Sequence, residues 1–397
     1  PLMTGPDGLL GTADDADPTP VTTNGMGNYF FGNLPPGDYF VVIPTAPTAT
    51  PISSNNTGIA FVETDPDDNV DNDDEGTQAG GAGGAVTSGT VTLSPGDEPE
   101  NGTGPMDESA QGNMQDDTND SNGNMTLDFG FFASVTVGDT AFVDVNMDGL
   151  QDGGDIGLPN TEVTITDIDS GQPVDTDAEG NPYTPTQMTD SDGAYLFEDL
   201  PPGNYKVTFD ITNADNSELY VYTSPNAGDD TLDSDVDPTN PDDRMGMTPE
   251  TGFLLSGQSD ITLDAGVSCN IVVEVADPAT ICSTQPIDLT QGASISPASL
   301  GGRWTSDGDG TFDDGAGAFG VATSYTVGPQ DRINGSVTLT LTSGVPDPVT
   351  GCAPQSAQVI FTVLKVDCGS FFWDGSAGNT PNPPPAAPEL PDSDSNE

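Results

Sequence analysis

Thr189-Asp-Ser-Asp-Gly-Ala-Tyr-Leu-Phe-Glu-Asp-Leu-Pro-Pro-Gly-Asn-Tyr205 has a close copy earlier in the chain, Thr23-Asn-Gly-Met-Gly-Asn-Tyr-Phe-Phe-Gly-Asn-Leu-Pro-Pro-Gly-Asp-Tyr39. Each copy carries a glycine turn, a short run with Tyr and Phe, Leu-Pro-Pro-Gly, and the start of a second run. In the later copy Tyr195 and Phe197 fall on one face of an alternating segment, and so do Tyr205, Val207 and Phe209. A period of two is that of a β-strand with one buried face. Pro201-Pro202-Gly203 between the runs compels a turn. The aromatic residues therefore belong to a core, and the unit is a hairpin-like pair of strands.

Working outward, Leu127-Asp-Phe-Gly130 matches Leu263-Asp-Ala-Gly266. The two matches delimit two copies of one module, 1–134 and 135–267. A third module, 268–370, follows a different pattern. Its strand candidates are 270–275, 336–341 and 358–366, with a further strand around Trp304. Residues 371–397 form a Pro-rich acidic C-terminal tail, expected to be extended and polyproline-like. The chain carries 49 Gly and 36 Pro, which favour turns and leave little room for helices. Hydrophobic residues make up 33% and occur in short alternating runs, enough to order cores despite the acidity. The fold class is all-β.

The charge is extreme: 65 Asp and Glu against 5 Lys and Arg, no His, and a formal net charge of −60 at pH 7. Such a chain repels itself, and the compensating charge must come from bound cations or salt. Nucleic acid and anionic membrane are poor partners for such a surface, and no nucleic-acid partner is expected. No apolar run is long enough to span a bilayer. The sequence opens at Pro1 with no visible signal peptide, and processing or truncation is the expected reason. Cys269, Cys282, Cys352 and Cys368 lack CxxC spacing and have no His to join them in a zinc site. An even set of four reads as two disulfides formed in an oxidising, extracellular compartment, with three connectivities open.

The most specific chemical motif is Asp144-Val-Asn-Met-Asp-Gly-Leu-Gln-Asp-Gly-Gly-Asp155. Asp144, Asn146 and Asp148 stand at loop positions one, three and five of a D-x-[DN]-x-[DN]-G calcium loop. Gly149 supplies the sharp turn, Leu150 a backbone carbonyl, and Asp152 and Asp155 the later ligands. Asp155 stands where Glu is usual, and its shorter side chain predicts a weaker grip. The preceding residues read as a strand, so the loop joins β elements. Hard oxygen donors select Ca²⁺. A second acidic stretch, Asp229, Asp230, Asp233, Asp235 and Asp237, spaces carboxylates as a metal-gathering loop does. Asp65, Asp67, Asp68, Asp71, Asp73 and Asp74 occupy the corresponding place in the first copy. Crowded carboxylates raise one another's pKa, and a divalent ion relieves that cost. By contrast, Asp307-Gly-Asp309-Gly reads as a turn entering a strand. Without His there is no His-based triad and no common general base near neutral pH, so no enzymatic activity is expected.

The stretch 137–152, with 157–165 and 189–205, resembles the calcium-binding B-type repeats of serine-aspartate-repeat (Sdr) adhesins, relatives of the Cna-B-like fold. The likeness covers 135–267 and part of 1–134. It implies tandem Ig-like or prealbumin-like β-sandwich modules whose calcium ions stiffen a surface stalk. Some Cna-B relatives carry a Lys–Asn cross-link; Lys206 and Lys365 are the only lysines, and the position of Lys206 predicts no such bond. The third module resembles Ig-like or PKD-like repeats of bacterial surface proteins. That likeness implies Cys282–Cys352, which leaves Cys269–Cys368.

The first copy lacks the strand and loop that precede Thr189 in the second. An incomplete sandwich leaves a sheet edge open to a strand from another chain. The expectation is a secreted, structural subunit of an extracellular bacterial filament or cell-surface stalk. Its partners would be further copies arranged head to tail by strand donation, or upstream modules of the same polypeptide. The alternative is a cell-surface adhesin that binds a ligand; 7% aromatic residues leave little for an exposed binding patch.

Overall fold

The computed structural model describes residues 2–3, 20–54, 74–96, 123–124, 126–237, 244–313, 320–344, 346 and 350–364. The chain divides into two compact units. One comprises Pro1–Val272 with Ser296–Leu300 and Val345–Pro354; the other comprises Val273–Ile295, Gly301–Gly344 and Gln355–Glu397. Both copies of the repeat lie in the first unit.

In the first copy, strands β1 (Gly37–Phe40) and β2 (Val91–Leu93) pair antiparallel, with Leu2–Met3 on the other side of β1. The second copy is more extensive. It contains β3 (Val135–Val143), β4 (Glu162–Asp167), β5 (Ala194–Leu200), β6 (Gly203–Asp210), β7 (Tyr220–Tyr222), β8 (Met245–Met247) and β9 (Ala265–Cys269). One sheet runs in the order β4-β6-β8 and the other β5-β3-β9-β7, with β9 parallel to β3 and the other pairs antiparallel. The alternation read from the sequence sends Val163, Ile165, Tyr205, Val207 and Phe209 of one sheet into the core. Val135, Val137, Ala141, Tyr195, Phe197 and Val267 of the other sheet share that core. The Tyr195 and Phe209 rings meet edge to face at 5.3 Å. This is the all-β, sandwich-like architecture expected of the sequence.

The repeat is structural in detail. Tyr39 donates to the Pro35 carbonyl and Tyr205 to the Pro201 carbonyl, each at 2.5 Å. Tyr29 donates to the Leu127 carbonyl and Tyr195 to the Leu263 carbonyl, each at 2.6 Å. Asn33 and Asp199, at equivalent places before the Pro-Pro-Gly turn, both adopt left-handed backbone, with φ of 60° and 59°.

In the second unit β10 (Gly302–Ser306), β11 (Ser336–Ser343) and β12 (Ser356–Leu364) form a sheet with Thr280–Cys282 parallel to β12. Inward Trp304, Val337, Leu339, Leu341, Val359, Phe361 and Val363 make its core. The helix α1 (Pro329–Asn334) has only six residues. Asp309 caps it by accepting from the Gln330 amide at 2.9 Å, and Asp307 accepts from Thr338 at 2.8 Å. The turn reading of 307–310 fits these contacts.

The disulfide pairing requires a correction. Cys352 joins Cys269, with Cα atoms 5.7 Å apart, so neither the Cys282–Cys352 nor the Cys269–Cys368 pair forms. The likeness of 268–370 to a single Ig-like or PKD-like module misleads here. The segment Val345–Pro354, although it connects β11 to β12, belongs to the first unit, where β9 ends at Cys269. Cys282 is also disulfide-bonded, and Cys368 lies outside the described residues.

Candidate metal centre

Loop 144–155 leaves β3 and returns to it through Ile156–Gly157, which pairs with Phe142 and Val143. Asp144 is fully buried at the loop's start. Its Oδ2 accepts from Gly149 N at 2.8 Å and Thr223 Oγ1 at 2.6 Å, and its Oδ1 from Asp148 N at 3.2 Å. Gly149 takes φ +83°, and a Cβ there would stand 2.7 Å from Ala227 Cβ and 2.8 Å from the Ser224 carbonyl. Glycine is required at this point on both counts. Asn146 donates its amide to Asp148 at 2.9 Å and to Asp152 at 3.3 Å. Asp155 closes the loop by accepting from Val145 N at 2.9 Å and Asp152 N at 2.8 Å. All of the side-chain ligands expected from the motif thus lie in one hydrogen-bonded loop.

The second acidic stretch lies directly against this loop. Leu150 and Asp233 form an antiparallel bridge, and Ser234 N donates to the Gly149 carbonyl at 3.1 Å. Asp230, Asp233 and Asp235 bring ligand oxygens within 4.8 Å of one another, the only such acidic group among the described residues. Asp229 and Asp237 are exposed and stand outside it. Asp229 is held by the Thr231 hydroxyl and amide, which lower its pKa. In the first copy, Asp65, Asp67, Asp68, Asp71 and Asp73 lie outside the described residues. Asp74 and Glu75 are described and buried. Glu75 accepts from Asp128 N at 2.6 Å, as Asp235 accepts from Asp264 N at 2.8 Å.

Asp264 stands outside both acidic motifs. It is fully buried; Oδ1 accepts from Thr140 N at 3.0 Å, while Oδ2 has no hydrogen-bond partner. Oδ1 of buried Asp233 likewise has none. Burial, reinforced by the neighbouring carboxylate of Asp139, lifts the Asp264 pKa to about 8. Burial lifts Asp235 to about 7, with the Asp230 and Asp233 charges adding to it. The Leu-Asp-x-Gly repeat was a visible signal for Asp264, since the same acid recurs at Asp128. Buried carboxylate oxygens without donors are costly unless a cation meets them. The donor set is all hard oxygen, and it fits Ca²⁺.

The chain is 27% identical over 250 residues to serine-aspartate repeat-containing protein F of Staphylococcus epidermidis, covering 62% of this chain and 11% of that protein. It is 30% identical over 146 residues to serine-aspartate repeat-containing protein D of Staphylococcus aureus, covering 36% of this chain and 9% of that protein. The chain thus spans about a tenth of the length of the curated relatives it matches. Among solved structures, the Bacillus anthracis TIE protein aligns over 59% of this chain and 34% of its own, at 12% identity and a TM-score of 0.22. A streptococcal ancillary pilin aligns over 58% of this chain and 62% of its own, at 12% identity and a TM-score of 0.20. Within the chain, the module that carries loop 144–155 and the Asp230–Asp235 group, residues 135–267, matches the SdrD B-like domain.

Proposed function

We propose that this chain is a non-enzymatic, calcium-stiffened structural segment of an extracellular bacterial filament or cell-surface stalk. The observation that carries the reading is the pair of adjoining acidic loops in 135–267, one organised around Gly149 and the other holding a buried, unpartnered Asp233 oxygen. Asp144, Asn146, Asp148, Asp152 and Asp155, with the Leu150 carbonyl, would hold one Ca²⁺. Asp230, Asp233 and Asp235 would hold a second. The ions would neutralise like charges that otherwise push the loops apart, and so fix the ends of the strands that the loops join. Support from the matched domain extends to residues 135–267. The partners proposed are neighbouring modules of a longer polypeptide, or further copies joined head to tail by strand donation into the first module.

Calorimetric titration of the chelated chain with CaCl₂ tests the metal reading. The expected result is saturable binding with a rise in Tm, and far less response to MgCl₂. No heat and no shift in Tm at millimolar calcium would overturn it. Electron microscopy of native material, with and without chelator, tests the filament: fibres that keep their stiffness in EDTA would remove calcium from the role.

A further inference from the structure

The two ends of loop 144–155 converge at one place, the Val143–Ile156 pair of β3 and its return strand. A segment from much later in the chain stands over that pair. A Cβ on Gly351 would lie 2.8 Å from Val145 Cγ2, 3.5 Å from Ile156 Cδ1 and 3.7 Å from Val143 Cγ1. Gly351 has φ +68°, so both its backbone and its neighbours keep the position small. Each flank of Gly351 is fixed. Before it, Thr350 accepts from the buried Tyr220 hydroxyl at 3.0 Å through its carbonyl, and from Cys352 N at 3.3 Å through Oγ1. After it, Cys352 is bonded to Cys269 at the end of β9, across a sequence separation of 83 residues. Cys269, Cys352 and Ile156 all pack on the edge of the 135–267 core.

We propose that residues 350–352, anchored by the Cys269–Cys352 disulfide, brace both ends of loop 144–155 and thereby raise its affinity for a divalent cation. The proposal rests on the calcium reading above. A loop that gathers several carboxylates around an ion binds more tightly when its ends are already fixed, because less ordering accompanies binding. Opening the disulfide removes the covalent anchor of the brace at Cys352. Reduction by dithiothreitol takes two electrons and two protons from the reagent, converts the S–S bond to two thiols, and closes the reagent to its cyclic disulfide. Since coupling between two equilibria is reciprocal, Ca²⁺ in the loop must in turn protect the disulfide.

The test uses the full chain in three forms: unaltered, Cys269→Ser/Cys352→Ser, and Gly351→Val, which displaces the brace with the disulfide intact. Titration with Ca²⁺ is expected to show affinity at the loop lowered by about five- to tenfold in both variants. Hydrogen exchange at Val143, Val145 and Ile156 should be faster in both. Equal affinity in variants that keep their strand content overturns the proposal. Absence of calcium binding in the unaltered chain instead removes the metal reading itself. Should the variants fail to fold, the unaltered protein decides the matter. The fraction of Cys269–Cys352 opened at equilibrium in a mixture of reduced and oxidised dithiothreitol, read by alkylation and mass spectrometry, should fall several-fold in calcium relative to EDTA. Asp148→Asn should abolish that protection, and equal opened fractions in calcium and EDTA overturn the proposal.

Discussion

At the residue scale, the buried carboxyls of Asp264 and Asp235 tie stability to pH. Their carboxyls titrate near pH 8 and pH 7 in the fold, burial being the main cause for each. In an unfolded chain an Asp titrates near pH 3.9. Between these values the folded protein binds more protons than the unfolded one, so stability without metal must fall as pH rises. Denaturant unfolding in EDTA should therefore show a decline from about pH 4 that levels off near pH 8. A flat profile would mean that these carboxyls are not held in the buried arrangement. Asp264→Asn isolates the effect from the general acidity. The amide keeps an acceptor for Thr140 N and carries no charge, so the variant should melt a few degrees above the unaltered chain in EDTA at pH 8. In calcium that advantage should shrink or reverse, and thermal unfolding in the two buffers reads the difference. The acid at Asp264 was visible in the repeated Leu-Asp-x-Gly, but its burial was not. The groups that enclose it come from Thr140 and Asp235, distant in sequence and adjacent only once β3 and β9 pair.

At the scale of elements, the parts legible in the sequence are those governed by local rules. Alternation placed Tyr195, Phe197, Tyr205, Val207 and Phe209 in the core, and Pro-Pro-Gly placed the turn between β5 and β6. Connections between elements follow no such rule. Residues 350–352 carry no periodic pattern, so nothing local shows that the β11–β12 connection belongs to the first unit, where Cys352 meets Cys269. Residues 175–183, which include Asp175, Asp177 and Glu179, carry no such pattern either. Ala178, buried completely, packs with Ile52 and Phe132 of the first copy, and its amide donates to the Asp199 carbonyl at 2.7 Å. This segment joins the two copies through an apolar contact. Ala178→Asp places an unpartnered charge there and should cost about 1–3 kcal/mol. Calorimetry should then resolve separate transitions for the two copies, and thermolysin should cut more readily near residues 133–135. A single unaltered transition would show that the two copies are held together elsewhere.

For the whole molecule, the surplus of 60 negative charges sets two different demands for cations. Diffuse repulsion is relieved by any salt, because screening depends on ionic strength and shortens the Debye length to about 10 Å at 0.1 M. On the proposed calcium reading the acidic loops ask for something else: a divalent ion that meets a buried oxygen such as that of Asp233. The two demands separate in one experiment. Thermal unfolding is followed in low-salt EDTA, in NaCl, and in CaCl₂ made up to the same ionic strength with NaCl. Screening alone predicts equal Tm values in the two salt solutions. Site binding predicts a higher Tm in calcium, growing with the logarithm of free Ca²⁺ once the sites are filled. Small-angle scattering should follow the same order, with the largest radius of gyration in low-salt EDTA, a smaller one in NaCl and the smallest in calcium. Asp144→Asn should remove part of the calcium increment and none of the NaCl increment, since the carboxylate lost is one among 65 acidic residues for screening but the first of the ligands proposed for the loop. If the calcium and NaCl curves coincide at matched ionic strength, the acidic loops act only as a diffuse charge and the stiffening role falls.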